Sequence, residues 1–148
     1  MTIKLIRAWL RERKDWGSLV LRLFLGLGFL VAGLDKVMHI EMVSGMFNML
    51  YGPAGMIMLY LAIAIEIVGG LLLLVGYQTR IAASVLAILI IVAFISTFKI
   101  GGMDFVSILR EVMVMNTGGG NTAVNWAYFA GLAALAFGGS RGYALKPE

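Results

Sequence analysis

Ala62-Ile63-Ala64-Ile65-Glu66-Ile67-Val68-Gly69-Gly70-Leu71-Leu72-Leu73-Leu74-Val75-Gly76 is a long apolar run with a single carboxylate near its centre. Extended back to Ala54, it can cross a hydrocarbon core of ~30 Å at ~1.5 Å of rise per residue, which places Glu66 close to the midplane. A charge at that depth costs ~3 kcal/mol on insertion scales. Twelve Leu, Ile and Val residues lie between Ile57 and Val75. Each contributes ~0.3–0.6 kcal/mol in the opposite direction, so the segment inserts with its carboxylate. Glu66 therefore needs a partner or a proton, and an ionisable residue so placed is a functional hypothesis by default.

The rest of the chain agrees with a membrane reading. Of 148 residues, 61% are hydrophobic and 14% charged, too few polar groups to coat several apolar runs of about 20 residues in water. The expected fold is all-α: one polytopic four-helix membrane bundle over residues 1–148, with short interfacial helices. No cysteine is present, which excludes disulfides, thiolate chemistry and iron–sulfur ligation by this chain. His39 is the only histidine, so one chain cannot build a bis-His haem or a multi-histidine metal site. No metal and no covalently held cofactor is expected. Gly118-Gly119-Gly120 follows no strand and is not a phosphate loop. No Ser/His/Asp triad is placed. The basic N-terminus is too short and too near the membrane to argue for nucleic acid, and the lipid bilayer is the partner it implies.

Residues 1–16 put Lys4, Arg7, Arg11 and Lys14 on one helical face, with Trp9 and Trp16 as interfacial anchors, an amphipathic surface helix. The apolar run that follows is too long for a secretory signal. The first span is expected at about 17–37, and Arg22, one and a half turns inside Trp16, must snorkel or pair. Residues 38–53 mix His39, Glu41 and Ser44 with Met42, Met46 and Met49, an interfacial helix ending before Gly52-Pro53. The central span, 54–75, carries Ala62, Glu66, Gly69 and Gly70 on one face, turned toward another helix. Gly76 caps it. A third span is expected at 81–98 and a fourth at 123–137, the last with a small-residue stripe of Ala127, Gly131, Ala134 and Gly138. Between them, 101–121 is too short and charged to span; Asp104 can cap an interfacial helix bearing Phe105, Ile108, Val112 and Met115. Basic residues gather in the N-terminal tail, at Arg80 and in the C-terminal tail. This predicts four spans with both termini in the cytoplasm of a plasma-membrane protein.

Two blocks carry a resemblance. Arg22-Leu-Phe-Leu-Gly26-Leu-Gly-Phe29-Leu-Val-Ala-Gly33-Leu-Asp-Lys36 resembles the first helix of the DoxX family, and Glu66-Ile-Val-Gly69-Gly70-Leu-Leu-Leu-Leu-Val-Gly76-Tyr-Gln-Thr79-Arg80 resembles its second helix and turn. The resemblance implies a small four-helix membrane protein. Some members of the family accompany membrane-bound oxidoreductases, including a quinone-reducing thiosulfate oxidoreductase.

The candidate polar site is Glu66 with Arg22. A straight-helix estimate sets Arg22 roughly 8 Å below Glu66, which predicts a pair, direct or through one water. Lys36 and Arg80 are secondary candidates, matched to the family and otherwise read as cations at helix ends. Two function classes follow. The chain is a subunit of a membrane oxidoreductase in which a quinone or its protons meet Glu66 and Arg22, the redox centres being held by partners. Alternatively it is a non-catalytic subunit that assembles a larger complex or a homo-oligomer through its small-residue faces. A lipid or solute carrier is a third reading.

Overall fold

The computed structural model describes residues 14–97, 106, 122–140 and 143–147. Five α-helices account for nearly all of them: α1 Lys14–Met38, α2 Ile40–Tyr51, α3 Gly55–Val75, α4 Thr79–Thr97 and α5 Thr122–Gly138. A 3₁₀ turn, Gly52–Ala54, joins α2 to α3. Among the described residues there is no strand.

Among the described residues, three stretches are long and apolar enough to cross a membrane: Trp16–Met38, Ile40–Val75 and Thr79–Thr97. The shorter α5 has 17 residues, about 26 Å of rise. It completes a ring in which α1 packs on α3, α3 on α4, α4 on α5, and α5 back on α1. The chain runs up and down in turn, so Trp16 at the start of α1 and Tyr143 beyond α5 meet with ring centroids 5.5 Å apart. Both described ends of the chain thus share one end of the bundle. The all-α membrane bundle read from the sequence is the fold observed.

The contact between α1 and α3 is close because both present glycine. A Cβ on Gly26 would lie 2.9 Å from Gly70 O, and one on Gly70 would lie 2.8 Å from Gly26 O. Any side chain at either position forces the helices apart. The buried core gathers toward the chain-end half: Leu25 and Phe29 of α1, Leu73 of α3, Ala82, Ala83 and Leu86 of α4, and Leu132 and Leu135 of α5. In the other half, α2 lies against α3 and buries none of its own residues.

The helix ends differ in detail from the sequence reading. α1 begins at Lys14 and passes through Trp16 without a break, so the expected surface helix and first span are continuous there; residues 1–13 lie outside the described residues. The segment 38–53 forms α2 and the 3₁₀ turn. The expected interfacial helix at 101–121 lies outside the described residues except for Val106.

Candidate functional site

The third glycine contact places the site. A Cβ on Gly33 would fall 2.7 Å from Ile67 Cγ1 and 3.2 Å from Glu66 Cβ, so α1 runs against α3 beside the carboxylate. Lys36 is three residues further along α1. Cα–Cβ bonds on a helix tilt toward its N-terminus. In this antiparallel pair the Lys36 stem and the Glu66 side chain therefore lean toward each other. Lys36 Nζ donates to Glu66 Oε1 and to Oε2, both at 2.8 Å, and lies 3.4 Å from Ala32 O. Glu66 is 8% exposed, and the lysine side chain is 22% exposed. This is an ion pair between two spans, with its lysine partly open.

Arg22 is elsewhere. It is 1% exposed; its Nε donates to Leu73 O at 3.2 Å and its Nη2 to Tyr143 O at 2.7 Å. Leu73 is seven residues beyond Glu66, about 10 Å down α3. The expected pairing of Arg22 with Glu66 is corrected: the carboxylate takes Lys36, and the guanidinium takes backbone carbonyls. The reason is register and lean. The glycine contacts set Arg22 beside the C-terminus of α3, and its side chain tilts toward the start of α1, away from Glu66.

The C-terminus of α3 is built around this guanidinium. Gly76 has φ 69° and closes a Schellman motif, with Gly76 N–H donating to Leu73 O at 3.2 Å and Tyr77 N–H to Leu72 O at 3.0 Å. A Cβ on Gly76 would meet Arg22 Cζ at 2.8 Å and Ala144 Cβ at 2.7 Å. The tail folds back over the turn, Leu145 N–H donating to Val75 O at 3.1 Å and Lys146 N–H to Gly76 O at 3.2 Å. Ser140 Oγ donates to Lys146 O at 3.0 Å and Ser18 Oγ to Gly139 O at 3.0 Å. Sequence reasoning missed the place of this tail over the turn, because its hydrogen bonds to Arg22 and to the end of α3 are made by backbone groups. Arg80, the other secondary candidate, is exposed in the first turn of α4, with its carbonyl accepting from Ser84 Oγ at 2.8 Å. The structure does not bring it to Glu66.

At the far end of the bundle Tyr51 Oη and Ser96 Oγ are 2.6 Å apart, tying the end of α2 to α4. An apolar cleft of about 310 Å³ between α4 and α5 is lined by Ile90, Phe94, Trp126 and Phe129 among others, with no titratable group among the described residues that line it. Among the described residues no group of three or more His, Cys, Asp or Glu side chains could hold a metal ion.

The geometry can be set beside known proteins. The chain is 31% identical over 122 residues to a Bacillus subtilis protein named "Putative oxidoreductase CatD", an alignment covering 78% of this chain and 89% of that one. No solved structure matches. The DoxX family profile matches residues 17–99, the stretch from α1 through α4 that holds Arg22, Lys36 and Glu66. The chain belongs to the DoxX family.

Proposed function

We propose that this chain is the membrane subunit of a membrane-bound oxidoreductase of the plasma membrane, with both termini cytoplasmic, and that Lys36 and Glu66 form its quinone or proton site. The observation that carries the reading is the ammonium held at 2.8 Å from both oxygens of an 8% exposed carboxylate inside a span. Such a pair is expensive to bury, and ionisable side chains inside spans mark ion and proton pathways. Reducing a quinone to a quinol takes two electrons and two protons. The electrons are assigned to a redox partner: with no cysteine and one histidine, this chain builds neither an iron–sulfur cluster nor a bis-His haem. The Lys36 ammonium can donate to a quinone carbonyl oxygen, and the Glu66 acid can deliver a proton to it. The name of the Bacillus subtilis relative supports an oxidoreductase setting. The excess of basic residues at the chain ends and at Arg80 supports the orientation.

The second reading, a non-catalytic assembly subunit, draws on α5. Gly26, Gly33, Gly69 and Gly70 are occupied inside the bundle, but Ala127 and Ala134 are exposed and offer a partner helix a close approach. Purification of the native complex, with optical spectra and turnover on decylubiquinone, separates the two. The oxidoreductase reading expects flavin, haem or iron–sulfur partners, and turnover abolished by Glu66→Gln in a complex that still assembles. Cofactor-free partners, or unchanged turnover in Glu66→Gln, overturn it.

A further inference from the structure

The flank of α1 beside the ion pair is polar. α1 stops at Met38 and α2 starts at Ile40, with His39 between them at φ −115° and ψ 35°. Hydrogen bonds from His39 N–H to Asp35 O at 3.0 Å and from Val43 N–H to His39 O at 3.1 Å hold the two helices end to end. His39 Nδ1 lies 3.1 Å from Asp35 Oδ1, and the two side chains are 52% and 66% exposed. On helical spacing His39 lies about 40° around α1 from Asp35 and about 60° from Lys36, between the two. Lys36 in turn reaches Glu66. From open surface to bundle interior the groups thus run Asp35, His39, Lys36, Glu66. The other acid near this break is Glu41, exposed in the first turn of α2, and the other titratable group on α3 is the exposed Tyr60.

An open carboxylate and imidazole beside a hydrocarbon layer require water or headgroups around them, so water reaches the flank of α1 next to Lys36. We infer that the Asp35–His39 pair is the proton inlet of the Glu66 site. The inference rests on the reading of Glu66 as a proton-handling group. Imidazole is the side chain suited to taking a proton from water near neutral pH and giving it up again. Asp35 orients the ring through Nδ1. The imidazolium gives its proton through water to the Lys36–Glu66 pair, the carboxylate becomes the acid, and the neutral imidazole takes its next proton from bulk water. No electron is moved in the step.

The test uses the full chain in phosphatidylcholine and phosphatidylglycerol vesicles, followed by time-resolved infrared difference spectroscopy after a pH jump. The Glu66 acid carbonyl band is the one that Glu66→Gln removes. His39→Gln should slow the rise of that band tenfold or more, and free imidazole in the buffer should restore the rate, which a merely structural role for His39 does not allow. Asp35→Asn should slow it less, and provides the same readout if His39→Gln fails to fold. An unchanged rate in both variants overturns the inlet and leaves the Glu66 reading standing. If the wild-type chain yields no band that depends on Glu66, the reading of Glu66 falls and the inlet with it.

Discussion

Arg22 and Lys36 leave the same helix toward the same neighbour, yet they are held in opposite ways. Arg22 is 1% exposed and donates to Leu73 O and Tyr143 O, acceptors that no change of pH removes. Around it lie the Gly76 turn and the returning tail, with Leu25, Leu73 and Ala83 among the buried core. Lys36 is partly open, and its partner is a carboxylate that can take a proton. The helix nearby, α2, has no buried residue of its own. A cation that donates to backbone carbonyls of two segments ties those segments together. One enclosed by a titratable side chain belongs to a site that can change state. Both charges are costly inside a membrane, but the first is balanced by closing the bundle and the second leaves a chemical handle.

Substitutions should separate the two ends. Arg22→Leu takes the guanidinium donor from Tyr143 O, leaves Leu73 O with only the Gly76 N–H, and releases the tail. The expected loss is about 3–5 kcal/mol, in the range seen when one partner of a buried charged contact is removed; thermal unfolding in detergent checks it. Retention of the wild-type midpoint would break the comparison. Lys36→Met leaves Glu66 unpaired, but the site is nearer to water, so the expected loss is smaller, about 2–3 kcal/mol. A loss equal to that of Arg22→Leu would make both sites structural. Gly76→Ala asks an L-residue to hold φ 69° against Arg22 and Ala144, at about 1–2 kcal/mol. Its effect should appear as raised labelling of a cysteine placed at Ala144. Ser18→Ala, which removes one hydrogen bond to Gly139 O, should cost about 1 kcal/mol and leave that labelling near wild type.

The spans were legible because a run such as Ile57 to Val75 has no other place to go. The cap at Gly76 was legible because few residues other than glycine take the left-handed turn that ends a helix. That Glu66 needed a partner was legible from its depth. The identity of the partner was not, because it depends on the register of α1 against α3. That register is set by Gly26 meeting Gly70 and Gly33 meeting Ile67, contacts that several glycine pairings could have satisfied. Counting Arg22 and Glu66 from the centres of their spans ignored both this register and the tilt of side chains toward helix N-termini. Applied to the same glycines, that tilt points Lys36 at Glu66 and Arg22 away from it. The tail contributes its carbonyls and N–H groups at 143–146 whatever its side chains are, so no pattern in the sequence announced its place over the turn.

The most direct test of the two-site account is a pair of double-mutant cycles on stability, one combining Lys36→Met with Glu66→Met and the other Arg22→Met with Glu66→Met. Groups in direct contact couple by about 0.5–3 kcal/mol, while distant ones add to within about 0.5 kcal/mol. The account predicts coupling of about 2 kcal/mol in the first cycle, the upper part of that range, because the double replacement removes both charges of a buried pair. It predicts additivity in the second. Additive costs for Lys36 and Glu66, together with strong coupling between Arg22 and Glu66, would contradict it.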